Sequence, residues 1–380
     1  MEAVMTKHRL IIGADLAGSR PEICYYDKTT KQSAALPMKI GNYHVTLTEL
    51  FEKESGDDEA AGTVADLFRE VFRTFGIGDI QREIVGMVVT FPDVDAKMLR
   101  MIRKAFELLE IPRSKTYVQD YCEDYYFYMT YQKQELWNRG TALFSFEDNR
   151  VRYYRFAPGA ARNSLLVRVG SADTCALPQD PEKKDHVFAE YVRKCIGDEI
   201  CSSVFITGDG FDEAWADESK RILCARGRRV FTEDSIFVKG ACNAARERFD
   251  EKRLTGMKCL SDSIVPYNIG MEMVVGGKLS YYPLITGGSH WYNTVCDCEF
   301  LLGSDDELNF LVSGVETGGR HSVVMKLDGM PERPERTTRL HLHMEFTGKN
   351  VCTAEVTDLG FGELFPSSGK TWKEELGEIK

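Results

Sequence analysis

Several absences narrow the class of this sequence. No apolar run approaches the roughly 18 residues that a membrane-spanning helix needs. Met1–Arg9 carries no apolar stretch of the kind a secretory signal requires. The 11 cysteines include no C-x-x-C pair, and their odd number reads as reduced thiols, which predicts a cytoplasmic location. Basic charge is in deficit: 48 Lys and Arg face 59 Asp and Glu, a net charge of −11. That balance argues against nucleic acid or an anionic membrane as the main partner. What remains, 43% hydrophobic and 28% charged residues, is ordinary for a soluble globular chain. At 380 residues the chain exceeds one hydrophobic core and fits two domains.

A more pointed absence concerns glycine. Two strand–turn–strand units occur, at Arg9–Asp27 and Gly140–Phe156. The first turn, Gly13-Ala14-Asp15-Leu16-Ala17-Gly18-Ser19, has two glycines that let backbone N–H groups approach a phosphate. Asp15 would hold a water on a magnesium ion there. The second turn, Ser145-Phe146-Glu147-Asp148-Asn149-Arg150, has no glycine.

Between and beyond these units, strands and helices alternate. Glu59–Phe75 places Ala60, Val64, Leu67, Phe68, Val71 and Phe72 on one helical stripe. Ile84–Phe91 is a near-continuous apolar run, the pattern of a central strand buried on both faces. A helix to about Leu109 follows, with Asp93 as its expected cap. A tyrosine-rich helix is expected from Tyr121 to about Trp137, with its tyrosines divided between core and a partner surface. Later come a helix over Asp185–Ile196, a strand over Ser203–Thr207, a helix ending at Cys224 and another starting near Phe237. Charge-rich Arg246–Lys258 reads as a boundary. From Ser263 the pattern is strands alone. In Arg339–Phe346, Leu340, Leu342, Met344 and Phe346 alternate with Arg339, His341, His343 and Glu345, which predicts a small antiparallel β-sandwich.

This order resembles the actin-like ATPase superfamily, and within it the DnaK-type heat-shock chaperones. Ile11–Ser19 looks like the first phosphate loop, Val88-Val89-Thr90-Phe91-Pro92 like the family's valine–proline strand, and Val118-Gln119-Asp120-Tyr121 like its Asn-Glu-Pro segment. Val204–Gly210 resembles the adenosine-site turn, and Lys239–Ala245 the alanine-rich helix start after it. Ile264–Glu272 is similar to the chaperones' post-linker segment, and Arg339–Asp358 to their last hairpin. The resemblance implies an α/β two-lobed, actin-like (ribonuclease H-like, duplicated) domain over 1–255. It also implies an antiparallel β-sandwich over 263–366 and a charged, frayed tail over 367–380. A bacterial family without an assigned activity is the narrower expectation.

For the site, the resemblance implies that Gly13, Asp15, Gly18, Ser19, Gly208, Asp209, Gly210, Lys239 and Gly240 would touch ATP or ADP. Asp15 and Asp120 are the catalytic candidates, and magnesium would be held through water at Asp15. The departures point the other way. The family's second loop is glycine-rich, and here Glu147 and Asp148 would repel phosphates. Asp120 replaces a glutamate with a shorter carboxylate. The favoured expectation is a non-enzymatic, chaperone-like scaffold that binds a protein or extended peptide through the sandwich. An ATP-dependent peptide chaperone is the alternative.

Three smaller patterns carry less. Ser367-Ser368-Gly369-Lys370-Thr371 imitates the end of a P-loop, but Leu364 stands where its first glycine belongs. His341 and His343 have no evident third ligand and read as a solvated strand face. Cys296-Asp297-Cys298 reads as packed or solvent-facing thiols.

Overall fold

The computed structural model describes residues 8–17, 21–37, 57–147, 149–161, 164–197, 199–303, 306–315, 319–348 and 351–376. Its contacts divide the chain into two units, Met1–Ser261 and Asp262–Lys380.

The first unit begins with three antiparallel strands, β1 (Leu10–Asp15), β2 (Glu22–Asp27) and β3 (Gln32–Pro37). Helices α1 (Asp57–Thr74) and α2 (Ile80–Glu83) lead to β4 (Ile84–Phe91), α3 (Ala96–Leu108), β5 (Thr116–Asp120) and α4 (Tyr121–Thr130). The first sheet has the order β3-β2-β1-β4-β5, with β4 parallel to β1 and β5 parallel to β4. The second half starts with β6 (Thr141–Glu147), β7 (Arg150–Ala161), β8 (Ser164–Ser171) and the short β9 (Cys175–Ala176). Helix α5 (Pro181–Ile196), β10 (Ser203–Gly208), α6 (Asp217–Leu223), β11 (Arg229–Thr232) and α7 (Ile236–Arg246) follow.

Read from β8, the second sheet runs β8-β7-β6-β10-β11, with the same antiparallel and parallel senses as the first. One topology has therefore been used twice, which is the duplicated arrangement of the actin-like ATPase fold. The near-continuous apolar character of β4 follows from this position: seven of its residues, Ile84 and Gly86 to Phe91, are buried, because helices and strands cover both of its faces. Strand β12 (Met257–Leu260) adds to the second sheet beside β8, so the first unit extends to Ser261 and the charged Arg246–Lys258 is not its end.

The two halves meet through α4 and α7, which occupy equivalent places after β5 and β11. Their approach is unusually close: a Cβ on Gly240 would lie 2.1 Å from the Asp124 carbonyl oxygen. A Cβ on Gly13 would lie 2.3 Å from the backbone nitrogen of Cys242, so α7 also presses directly on β1. Tyr125, Tyr126, Tyr128, Phe156, Phe237, Ala241 and Ala244 fill the shared core. The tyrosine-rich helix is thus a core element at these positions, and it ends at Thr130, earlier than its pattern predicts.

Two boundaries differ locally from expectation. Asp95, rather than Asp93, caps α3 by accepting from the Met98 N–H, while Asp93 pairs with Arg152 at 2.7 Å. The helix expected after Gly208–Phe211 begins only at Asp217.

The second unit holds two four-stranded antiparallel sheets. One contains β13 (Tyr267–Val275), β14 (Lys278–Ile285), β16 (Glu307–Gly314) and β17 (Arg320–Lys326), in the order β14-β13-β16-β17. The other contains β15 (Val295–Leu301), β18 (Arg339–Gly348), β19 (Val351–Gly360) and β20 (Thr371–Glu375), in the order β15-β18-β19-β20. Ile269, Phe310 and Val312 of one sheet share a core with Leu340, Leu342, Met344 and Val356 of the other. Strand β20 corrects the expected frayed tail. It pairs with β19, the Trp372 indole donates to the Asp328 carbonyl at 3.0 Å, and Leu376 is buried.

Candidate functional site

The carboxyl ends of β1, β4, β5, β6 and β10 carry the candidate residues, and the space beside them is taken as the cleft, since an open mixed sheet receives a ligand at that end. Asp15 is the last residue of β1 and its side chain is half-buried. Its carboxylate accepts from the Ala17 N–H at 3.0 Å and from the Tyr121 hydroxyl, which lies 2.9 and 2.8 Å from the two oxygens. Tyr121 opens α4, and its ring stacks on Phe237 of α7 at 3.7 Å with 9° between the planes. Aromatic and hydroxyl together tie the carboxylate to both halves.

Burial pushes the Asp15 carboxyl up to about 7. The Ala17 N–H and the Tyr121 hydroxyl pull against that shift, while the charges of Glu22 and Glu147 add to it. Glu22 is likewise raised, first by burial and then by Asp234 and Asp209, and it accepts from the Ser235 hydroxyl at 3.0 Å. Ser235 holds φ at +61°, a left-handed backbone that costs a non-glycine residue on the order of 1 kcal/mol. Lys239 is committed to Glu233 and to the Asp234 carbonyl, the latter at 2.9 Å. Among the described residues the cleft is therefore lined by carboxylates, and its one candidate cation from the sequence is already paired.

The remaining expected residues divide by what the structure makes of them. Asp209 lies within electrostatic reach of Glu22, as does Lys239. Asp120 caps α4 by accepting from the Glu123 N–H at 2.9 Å. Gly13 and Gly240 are each accounted for by backbone packing. Gly208, at φ +85°, lies against the Phe146 carbonyl, which a Cβ would meet at 2.0 Å. The Gly210 carbonyl accepts from the Lys184 ammonium at 3.0 Å. Gly18, Ser19 and Asp148 lie outside the described residues.

No pattern in the sequence points to a buried trio beside this cleft. Asp124, Gln119 and Thr90 are all fully buried. The Gln119 amide donates to Asp124 at 2.5 Å, and Asp124 contacts the Thr90 hydroxyl closely. The Thr90 hydroxyl donates to Asp124 and also lies 3.2 Å from the Gln119 carbonyl. Burial holds the Asp124 carboxyl well above the usual carboxylate range, against the pull of the Thr90 and Gln119 bonds. Asp124 sits in a run of helical polar and aromatic residues whose exposure is decided by α7.

The Asp15 shift has a measurable sign. Its folded value, near 7, exceeds the unfolded value of 3.8, so its contribution is fully present below pH 4 and lost as pH rises through 7. Asp15→Asn removes that dependence. The variant should gain on the wild type by about 2 kcal/mol, or about 4–8 °C in Tm, between pH 5 and pH 8. Thermal unfolding across that range reads the difference, and a constant offset would refute the burial argument.

A separate cavity of about 190 Å³, lined by Arg139, Tyr153, Arg155, Phe156 and Cys201 among others, opens where β6 begins. That is the opposite end of the strand from the cleft.

Two sheets of the same strand order, meeting at a cleft through equivalent helices, define the actin-like ATPase fold. The chain belongs to the family of unknown function DUF5716, whose C-terminal region matches residues 52–262. A domain of unknown function, DUF8552, matches residues 264–377. No curated protein matches the sequence. Among solved structures, the chain is similar to a Bacteroides thetaiotaomicron protein with an actin-like ATPase fold and unknown function. That pair is 11% identical over 64% of this chain and 98% of the other, with a TM-score of 0.37. The ethanolamine utilization protein EutJ of Carboxydothermus hydrogenoformans is 10% identical over 62% and 89%, with a TM-score of 0.36. The ROK hexokinase of Thermus thermophilus is 13% identical over 62% and 97%, with a TM-score of 0.35. Likenesses this distant carry no functional argument, and the fold assignment rests on the strand order itself. No helix among the described residues is long and apolar enough to cross a membrane.

Proposed function

We propose that this chain is a chaperone-like binding scaffold, in which the actin-like unit does not turn over ATP and the C-terminal unit receives a protein or extended peptide. One observation carries the first half: the Tyr121 hydroxyl, held by the Phe237 stack, takes both oxygens of Asp15. An ATP site of this fold would need that carboxylate free to order water around a magnesium ion. The surrounding acids Glu22, Glu147, Asp209 and Asp234 add a field that opposes a polyphosphate.

Support for the second half comes from the β13–β14 hairpin. Strand β14 is the outermost strand of its sheet, and Val274, Leu279, Tyr281 and Tyr282 are 60%, 67%, 47% and 42% exposed. An edge strand with exposed apolar and tyrosine side chains is suited to main-chain pairing with an extended segment. Titration with Mg-ATP and Mg-ADP tests the scaffold reading, which expects no saturable binding. The alternative, an ATP-driven peptide chaperone, requires saturable binding and a loss of peptide affinity when ATP is added.

A further inference from the structure

Strand β15 presents Cys296 and Cys298 on the same face, two residues apart, both half-buried against the core of the second unit. The two thiols lie close enough to act on each other's protons. Directly across the ladder, Cys296 faces Met344 and Cys298 faces Leu342. Side chains opposed in this way have Cβ atoms about 5 Å apart, so the Met344 thioether shares the thiols' face. Met344 is fully buried, and Phe300 packs beside the pair. Two neighbouring thiols and a thioether thus share one apolar face of the sheet. Strand β15 is also the outermost of its sheet, which leaves them approachable from the open edge.

A disulfide is the obvious alternative use of two touching thiols, and strand geometry opposes it. Residues i and i+2 of an extended strand are roughly 7 Å apart, whereas a disulfide needs Cβ atoms within about 4.5 Å. Converging rotamers bring the sulfurs together without bringing the Cβ atoms together. A single ion bridging the two sulfurs needs no such backbone movement. Zinc is poorly matched, because it takes four donors, and no group of three His, Cys, Asp or Glu among the described residues is arranged to hold a metal. Thiolate and thioether donors in low number select copper(I).

The geometry points to a copper(I) site formed by Cys296 and Cys298, with Met344 as a third sulfur donor. Binding releases the thiol protons to solvent and changes no oxidation state. The purified full chain, reduced and kept anaerobic, is titrated with copper(I) held by a competing chromophoric chelator. One equivalent should be withdrawn, and X-ray absorption should show a sulfur-only shell of two or three atoms. Cys296→Ser and Cys298→Ser should each weaken binding by about 100-fold, while Cys224→Ser, at an exposed cysteine elsewhere, should leave it unchanged. Met344→Leu should reduce a three-sulfur shell to two. Failure to withdraw copper, a nitrogen- or oxygen-rich shell in the wild type, or full affinity in a folded Cys298→Ser variant would each overturn the assignment. The spectrum of the wild type decides the matter even if a variant does not fold.

Discussion

Asp358→Ala is expected to unfold most of the margin of the second unit, at a cost of about 3–5 kcal/mol, because it leaves a buried guanidinium without its counter-charge. Arg333 meets the Asp358 carboxylate with two parallel bonds of 2.8 Å, and the side chains are only 6% and 0% exposed. The same carboxylate accepts from the Gly360 N–H at 2.9 Å and the Ser368 N–H at 2.8 Å, and the Asp358 carbonyl accepts from the Ser367 hydroxyl. One side chain therefore fastens the loop carrying Arg333, the end of β19 and the approach to β20. Arg333 holds the Asp358 carboxyl well below the usual carboxylate range. Its contribution is present above the unfolded value and lost as pH falls through the folded one, so acid should mimic the substitution. A domain of this kind has only about 5–15 kcal/mol in all. Calorimetric unfolding at neutral pH reads the loss, and a change under about 1 kcal/mol would show that the pair is not the fastening described.

Gly240→Ala should disrupt the first unit nearly as strongly. The added methyl would stand 2.1 Å from the Asp124 carbonyl oxygen and 2.6 Å from its carbon, both backbone atoms that cannot swing aside. Helices α4 and α7 would have to separate, which opens the core shared by the two halves and breaks the Tyr121–Phe237 stack. The expected cost is about 3 kcal/mol or more. Gly62 of α1, where an added Cβ meets nothing within 4 Å, provides the control. Gly62→Ala should leave stability unchanged or raise it by up to about 1 kcal/mol. Equal effects from the two substitutions would contradict the close helix crossing.

The same glycine illustrates what a sequence yields and what it withholds. Gly240 in its alanine-rich setting resembles a phosphate contact, and only the partner helix reveals the backbone it must clear. Strands were legible wherever burial imposes a local pattern, as a continuous apolar run in Ile84–Phe91, covered on both faces, and as alternation in Arg339–Phe346, covered on one. The repeated strand–turn–strand units were legible for the same reason, and with them the duplicated sheet. Thr371–Glu375 was not, since an edge strand keeps a charged, mostly exposed sequence. Asp124 and Gln119 were not, since nothing in a run such as Tyr121–Thr130 says which polar side chain another helix will enclose. Asp15 was picked out by its turn, but its hydroxyl partner lies 106 residues away.

The central claim is that the actin-like cleft is not a working nucleotide site. Calorimetric titration of the purified chain with Mg-ATP tests it most directly. The account predicts no saturable heat up to about 1 mM nucleotide, the weak end of specific binding. Micromolar binding that is lost in Asp15→Ala would contradict it, and would mean that Tyr121 yields the carboxylate when nucleotide arrives.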